Sequence, residues 1–392
     1  MAFLADSVEM KPIFFRLNLC LLLTISPGIA QTIFTEGLQY PQRLIFTPAG
    51  NLLVSEGGIA VPNNGRISLV DSQGKRRSLL EGLPAAPGQG IPAFGPTGMA
   101  LDGRTLYLLV GEGDVMVGPP FSVNLDGPAS PIFSSVLRIQ FSRVVDTIDS
   151  SFQMTFGDQW SLSDGSDVTL QNAAGDQATI HLLTSYRSPV RNILGGAARA
   201  RPADPYGVWL DAPDNALYLT DASSETLVKV NTVTGHSQVL TRFQPEQRVT
   251  AAGTQFVDNV PTALCRVGDS FLVSFLSAGP FPAGAASVRL WNPSDGAWSK
   301  VRAVVSDLTM ASDLLCLRGG SETAPKVVTV EYTTTPPANF TTGAGRVQLT
   351  DGTQKRVLAQ GLLLPTAIAQ SPTSGELYVL TVPGTIFRLP AP

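Results

Sequence analysis

The stretch DPYGVWLDAPDNALYLTD, residues 204–221, decides how this chain is read. A Pro opens a short apolar run, a turn rich in Asp, Pro and Asn reverses the chain, and a second apolar run ends on an acidic residue. Two such runs joined by turn chemistry read as a β-hairpin. The hairpin returns as YPQRLIFTPAGNLLVSE from Tyr40, GPTGMALDGRTLYLLVGE from Gly95, VPTALCRVGDSFLVSF from Val260 and LPTAIAQSPTSGELYVLT from Leu364. A degenerate copy, ASDLLCLRGGSETAPKVVTVEY, starts at Ala311. Anchored on Pro41, Pro96, Pro205, Pro261, Ser312 and Pro365, the copies follow one another at about 55, 109, 56, 51 and 53 residues. A period near fifty is that of propeller blades.

Most copies continue into a third strand, as GRISLVD at Gly65, SVLRIQF at Ser135, TLVKVNT at Thr226, SVRLWNP at Ser287, GRVQLTD at Gly345 and GTIFRLP at Gly384. A fourth often follows, as KRRSLLEGL at Lys75, HSQVLTRF at His236 and KRVLAQGL at Lys355. Four short antiparallel strands per unit, without helical periodicity, predict an all-β chain folded as a six-bladed β-propeller. The last unit runs out after its third strand. TIFTEGL at Thr32–Leu38 resembles the fourth-strand endings, so the N-terminal strand is expected to complete the last blade and close the ring. The double-length gap between Pro96 and Pro205 would accommodate a seventh blade. Between Asp146 and Arg201 the hairpin opening does not recur, and we read this stretch (about 146–201) as an insertion in a six-bladed domain spanning 31–392.

The composition agrees. The chain has 392 residues with 37 Gly and 30 Pro, 43% hydrophobic residues, only 15% charged residues and a net charge of −4. Turns and buried strands account for this. It argues against a helix bundle, and the lack of a Lys/Arg cluster argues against a nucleic-acid partner. Residues 1–30 read as a cleavable signal peptide: Lys11 and Arg16 precede the apolar run Leu17–Ile25, and Gly28 and Ala30 place the cut after Ala30. The expected location is therefore secreted or periplasmic, and no later run is long enough to form a transmembrane segment. Of three Cys, Cys20 leaves with the signal. Cys265 and Cys316 read first as buried small hydrophobes, with a disulfide as the alternative in an oxidising compartment.

The second strands end at matched positions, Glu56, Asp221, Phe275, Glu331 and Thr381, with Glu112 one residue out of step. The inner strands begin with Gln42, Arg43, Thr97, Tyr206, Thr262, Asp313 and Thr366. All belong to one face, where the ring's channel opens. Glu56, Glu112, Tyr206, Asp221, Thr262 and Glu331 are thus the candidate ligand-binding residues at the channel mouth. The competing reading is that the carboxylates accept hydrogen bonds from backbone N–H groups of their own turns. A divalent metal, Ca²⁺, is the cofactor that such an acidic rim or the GEGD turn at Gly111 would hold. The two His fall elsewhere: His236 in a solvated turn and His181 in a half-buried strand. No nucleophilic triad, zinc motif or phosphate loop is present, so no catalytic residue is assigned. GPFPAGAA at Gly279 reads as a stiff loop displaying Phe281, and Asn339-Phe340-Thr341 as a glycosylation sequon.

GLQYPQRLIFTPAGNLLVSEGG, the 204–231 unit, VPTALCRVGDSFLVSFLSAGPFPAGAASVRLW and GRVQLTDGTQKRVLAQGLLLPTAIAQSPTSGELYVL together resemble the ScyD/ScyE family of exported bacterial propellers, over nearly the whole mature chain. The resemblance implies the fold and a binding or scaffold role with no assigned catalytic activity. The partner would be a small molecule or an envelope protein. The 146–201 stretch and the fifth unit depart from the pattern. NHL-repeat proteins and the SMP-30/gluconolactonase group are more distant six-bladed likenesses. The latter implies the alternative of a metal-dependent hydrolase or lactonase, with a metal held by Glu, Asn and Asp at the mouth.

Overall fold

The computed structural model describes residues 31–59, 61–86, 95–113, 115–116, 122–123, 130–186, 203–250, 253–279, 281–295, 302–336 and 343–392. The signal segment, Asp114 of the GEGD turn and the sequon lie outside the described residues.

Six antiparallel sheets follow one another along the chain. Blade 1 comprises Pro41–Phe46, Leu52–Glu56, Gly65–Val70 and Arg76–Leu83. Blade 2 comprises Pro96–Asp102, Thr105–Val110, Ser135–Phe141 and Gln177–Ser185. Blades 3 and 4 start at Pro205–Asp211 and Asn259–Val267 and end at Ser237–Arg242 and Arg302–Leu308. Blade 5 runs from Ala311–Cys316 to Gln354–Leu363. Blade 6 has Pro365–Gln370, Leu377–Thr381 and Ile386–Leu389, and its outer strand is Thr32–Thr35 from the N-terminus. Thr32 pairs with Arg388 and Ile33 with Phe387, so the first described strand closes the ring, as its sequence predicts. The innermost strands of neighbouring blades touch in cyclic order, blade 6 against blade 1 included.

Apolar side chains alternate along each strand and fill the spaces between blades. Six hydrophobic clusters each join two neighbouring blades. Leu53 and Ile67 of blade 1 meet Leu106 and Leu108 of blade 2, for example, and Leu52 and Val54 meet Tyr378 and Leu380 of blade 6. A sheet buried on both faces has little room for charge, which explains the sparse Lys and Glu content.

The double-length second unit is one blade. Its third and fourth strands are separated by residues 142–176, and the stretch read as an insertion also carries the fourth strand, Gln177–Ser185. Phe152–Gln153 pairs in parallel with the outer strand of blade 1, and Val168–Gln171 adds a fifth strand to blade 2. The helix Phe156–Ser163, capped by Thr155 and Asp158, lies between them in sequence and donates from Gln159 Nε2 to the Gly82 carbonyl at 2.9 Å. The segment thereby covers two outer edges that would otherwise present unpaired backbone.

The anchor of the fifth unit moves by one residue. Pro41 pairs with Glu56, Pro205 with Asp221, Pro261 with Phe275 and Pro365 with Thr381, and in blade 5 it is Ala311, not Ser312, that pairs with Glu331. The missing Pro explains the slip.

Cys265 and Cys316 form a disulfide with Cα atoms 6.0 Å apart. The first reading of these residues as separate buried hydrophobes is therefore corrected. They lie on the inner strands of blades 4 and 5, and a separation of 51 residues is one blade repeat, which sets the two strands side by side.

Candidate functional site at the channel mouth

Every inner strand shifts register immediately after its anchor position. A bulge re-aims the extra side chain, and here it turns Gln42, Thr97, Tyr206, Thr262, Ser312 and Thr366 toward the channel, where all six line one cavity. Four of them also tie the ring together. The hydroxyl of Thr97 donates to the Pro205 carbonyl at 2.7 Å, Thr262 to Ala311 at 2.9 Å, Ser312 to Pro365 at 2.9 Å and Thr366 to Pro41 at 3.4 Å. Each bond runs from one blade to the anchor of the next. Gly207 shows how close these strands lie: an added Cβ would sit 2.5 Å from the Thr262 carbonyl oxygen.

The cavity has a volume of about 220 Å³. Besides the bulge residues, two further rings line it. One comprises Gly95, Asp204, Val260 and Met310, each just before its anchor. The other comprises Gly111, Ala222, Leu276, Tyr332 and Val382, each just after the matched second-strand position. The two rings are stitched by backbone bonds, as from Ala222 N–H to the Asp204 carbonyl at 2.8 Å and from Tyr332 N–H to the Met310 carbonyl at 2.8 Å. Glu112 completes the lining.

The lining is lopsided. On the side of blades 4 to 6, Met310, Tyr332, Leu364 and Val382 form an apolar cluster with Leu276 and Phe281 packed against it. The loop expected to display Phe281 thus uses the ring to back this wall. On the side of blades 2 and 3 stand the carboxylates of Glu112 and Asp204. Asp204 Oδ1 accepts the Glu112 N–H at 3.1 Å, and Glu112 Oε2 accepts the Ser223 hydroxyl at 2.7 Å. Burial first, and then the neighbouring Glu112 charge, hold the Asp204 carboxyl well above the usual carboxylate range. Burial also raises the hydroxyls of Tyr206 and Tyr332.

Beneath the mouth the channel is crossed by one side chain. Arg43 of blade 1 meets Asp313 Oδ1 of blade 5 at 2.6 Å, donates to the Thr262 carbonyl of blade 4 at 2.6 Å and stacks 4.5 Å from the Tyr206 ring centre of blade 3. Burial pushes the Asp313 carboxyl up, while Arg43 and the N–H groups of Ile368 and Leu314 pull it down. Below this layer lies a second space of about 470 Å³, walled by Phe46, Trp209, Arg266 and the disulfide.

Of the six candidates from sequence, Glu112, Tyr206 and Thr262 line the mouth. Glu56, Asp221 and Glu331 do not; each is buried. Glu56 accepts from the Gln39 N–H at 2.5 Å, from Arg66 at 2.7 Å and from Ser68. Glu331 repeats the scheme with the Thr309 N–H at 2.9 Å and Arg346 Nε at 2.6 Å. Asp221 takes the N–H groups of Asp204, Ser223 and Ser224 at 2.9, 3.1 and 3.0 Å, bonds that partly offset the rise burial gives its carboxyl. Asp221 thus accepts from backbone N–H groups of its own turn, the competing reading formed from sequence, whereas Glu56 and Glu331 each bind an arginine of the paired strand and a backbone N–H just ahead of an inner strand. Glu112 lies two residues beyond its matched position, Val110. The sequence reading did not single out Asp204, Met310, Leu276 or Val382. His181 is half-buried and 2.6 Å from Asp167 in the outer part of blade 2, and His236 is exposed.

A metal of the kind held by Glu, Asn and Asp in lactonase-type propellers does not fit these residues. Glu56 is engaged by Arg66, Ser68 and the Gln39 N–H, and Asp221 by three backbone N–H groups. Among the described residues no three His, Cys, Asp or Glu side chains are placed to hold one ion. Nor, among the described residues, is any helix long and apolar enough to cross a membrane.

No protein-family model matches the chain. No curated protein matches it in sequence. Solved structures do match in shape. A gluconolactonase from Xanthomonas campestris aligns at a TM-score of 0.50 and 12% identity, over 92% of this chain and 89% of its own. A Bacteroides thetaiotaomicron protein of unknown function gives 0.48 and 10%, over 92% and 75%. A putative 6-phosphogluconolactonase from Bacteroides uniformis gives 0.43 and 10%, over 89% and 80%. At these identities the likeness concerns the fold: the chain is a six-bladed β-propeller whose structural neighbours include lactonase-type propellers.

Proposed function

We propose that the protein is an exported, non-catalytic propeller of the ScyD/ScyE type that binds a small molecule at its channel mouth. The observation that carries this reading is the 220 Å³ cavity to which all six blades contribute a bulged residue. Its volume lies below the ~300–1,000 Å³ of pockets for drug-sized ligands, which suits a compact ligand. Few convergent polar groups among apolar walls is the usual make-up of a binding site. The carboxylates that a hydrolytic metal site would use are spent on Arg66, Arg346 and backbone N–H groups. Export rests on the N-terminal segment and is checked by sequencing the mature protein, which should begin at Gln31.

The decisive experiment is metal analysis of the purified protein followed by a lactone and ester panel with and without chelator. The expected result is no chelator-sensitive turnover. Stoichiometric divalent metal together with chelator-sensitive hydrolysis would overturn the reading in favour of a lactonase.

A further inference from the structure

The space beneath the Arg43 layer has a reactive bond in its wall. We propose that the Cys265–Cys316 disulfide is a thiol-exchange site: small thiols reach it through the lower end of the channel, and the group they leave on the protein is housed in the lower cavity. This site lies at the opposite end of the channel from the mouth and is independent of the ligand proposed there.

Three observations support it. First, both cysteines line the lower cavity, and both are half-buried. One side of the pair packs against the core shared by blades 4 and 5, with Leu272 and Leu314 among its members. The sulfurs are therefore held by the core without being sealed inside it, and exposed disulfides are the labile ones. Second, the space is open from below and closed from above. Arg266 stands on the same wall with its side chain 38% exposed, so solvent reaches the cavity at that end of the inner strands. Above, the Arg43 side chain is buried and runs from blade 1 to Asp313 of blade 5 and the Thr262 carbonyl of blade 4. Third, the wall selects by size and not by charge. All six blades contribute to it, through Phe46, Met99, Trp209, Arg266, Cys316 and Gln370 among others. Its charged side chains are paired, Arg43 with Asp313 at 2.6 Å and Arg266 with Asp211 at 2.7 Å. A volume of about 470 Å³ falls within the ~300–1,000 Å³ of small-molecule pockets. It suits a thiol up to the size of a short peptide and excludes a folded protein.

The exchange uses only the thiol and the disulfide. A thiolate attacks one sulfur, the Cys265–Cys316 bond breaks, and a mixed disulfide forms in its place. The other sulfur leaves as a thiolate and takes a proton from water. A second thiolate attacks the mixed disulfide and releases the small molecule as its own disulfide, so two thiols supply the two electrons. A small disulfide runs the same steps backwards. The ring outlasts the opening of this joint, because the Thr262 hydroxyl still donates to the Ala311 carbonyl at 2.9 Å and the core between blades 4 and 5 stays in place.

The test is the rate at which glutathione opens the bond in the purified, folded protein, read at Cys265 and Cys316 by quenched peptide mass spectrometry over urea concentrations below the unfolding transition. A folded protein carrying one surface cysteine serves as the bulky thiol. Each rate is divided by that thiol's rate with hydroxyethyl disulfide. The rate with glutathione should be proportional to its concentration and change by less than about twofold across this urea range, because the native cavity already admits it. The normalised rate of the bulky thiol should be roughly tenfold lower or less. A rate that climbs with urea in step with global unfolding would overturn the proposal, since the bond would then react only in the unfolded chain. A flat rate with no preference for the small thiol would overturn the channel route. Cys316→Ser, incubated with oxidised glutathione, should take up one glutathione on Cys265 and keep its β-sheet circular dichroism. A folded variant that takes up none would overturn the housing of the adduct, and the wild-type rates decide the matter if the variant does not fold.

Discussion

Glu331 and its neighbour Tyr332 show how much rests on a single step of the chain. Glu331 points between blades to Arg346, and Tyr332 faces the cavity. The same division holds at Asp221 and Ala222, Phe275 and Leu276, and Thr381 and Val382. Side chains alternate faces along a strand, so a reading displaced by one residue selects the wrong ring. Glu331→Gln keeps an acceptor for Thr309 but loses the charge facing Arg346. It should lower stability by about 1.5–3 kcal/mol in urea unfolding and leave ligand affinity unchanged. The repeat makes the matched positions legible, and register shows that the residue following most of them, not the matched residue, faces the channel. Asp204 is not legible in its own hairpin, because its place in the cavity wall depends on Glu112, 92 residues earlier. The Arg43–Asp313 pair was equally hidden, since both residues read as rim positions. Asp313→Asn leaves Arg43 buried and unpaired and should cost about 3–5 kcal/mol, whereas Arg43→Met with Asp313→Leu should recover most of that loss. A double-mutant cycle measured by chemical denaturation checks this. A simple sum of the two single effects would show that the pair does not couple.

At the scale of the strand, the inner strands carry the joints of the ring. Thr97, Thr262, Ser312 and Thr366 each bond the next blade at its anchor, and the disulfide bonds the inner strands of blades 4 and 5 below them. The hairpins themselves were plain in the sequence because turn residues recur between apolar runs. The disulfide was not, because pairing depends on the distance between two strands that are neighbours only in the closed ring. Closing a loop of this length contributes up to about 4 kcal/mol through the unfolded chain. Reduction, or Cys265→Ala with Cys316→Ala, should therefore lower the thermal midpoint. The mouth lies on the other side of the Arg43 layer, so ligand affinity in the reduced protein should match that of the oxidised form at 25 °C. Hydrogen exchange should show the lost protection first in blades 4 and 5.

The whole molecule is a cycle of six inter-blade cores, and none of them belongs to one blade. Stability is accordingly collective. Removing residues 31–38 takes away the outer strand of blade 6 and Leu38 from the core shared by blades 6 and 1. That variant should expose the Ile386–Leu389 edge and aggregate on heating, with light scattering rising before the midpoint of the intact protein. Adding the missing strand back as a peptide should suppress the scattering. Failure of the peptide to do so would mean that the strand serves covalent continuity more than edge pairing.

The closing strand also sets an order in time. Thr32–Thr35 is the earliest described strand to be synthesised, yet its partner, Ile386–Leu389, is the last described strand to be made. The ring therefore cannot be sealed until Ile386–Leu389 has left the ribosome. Until that strand arrives, the propeller is an open arc whose first described strand is idle.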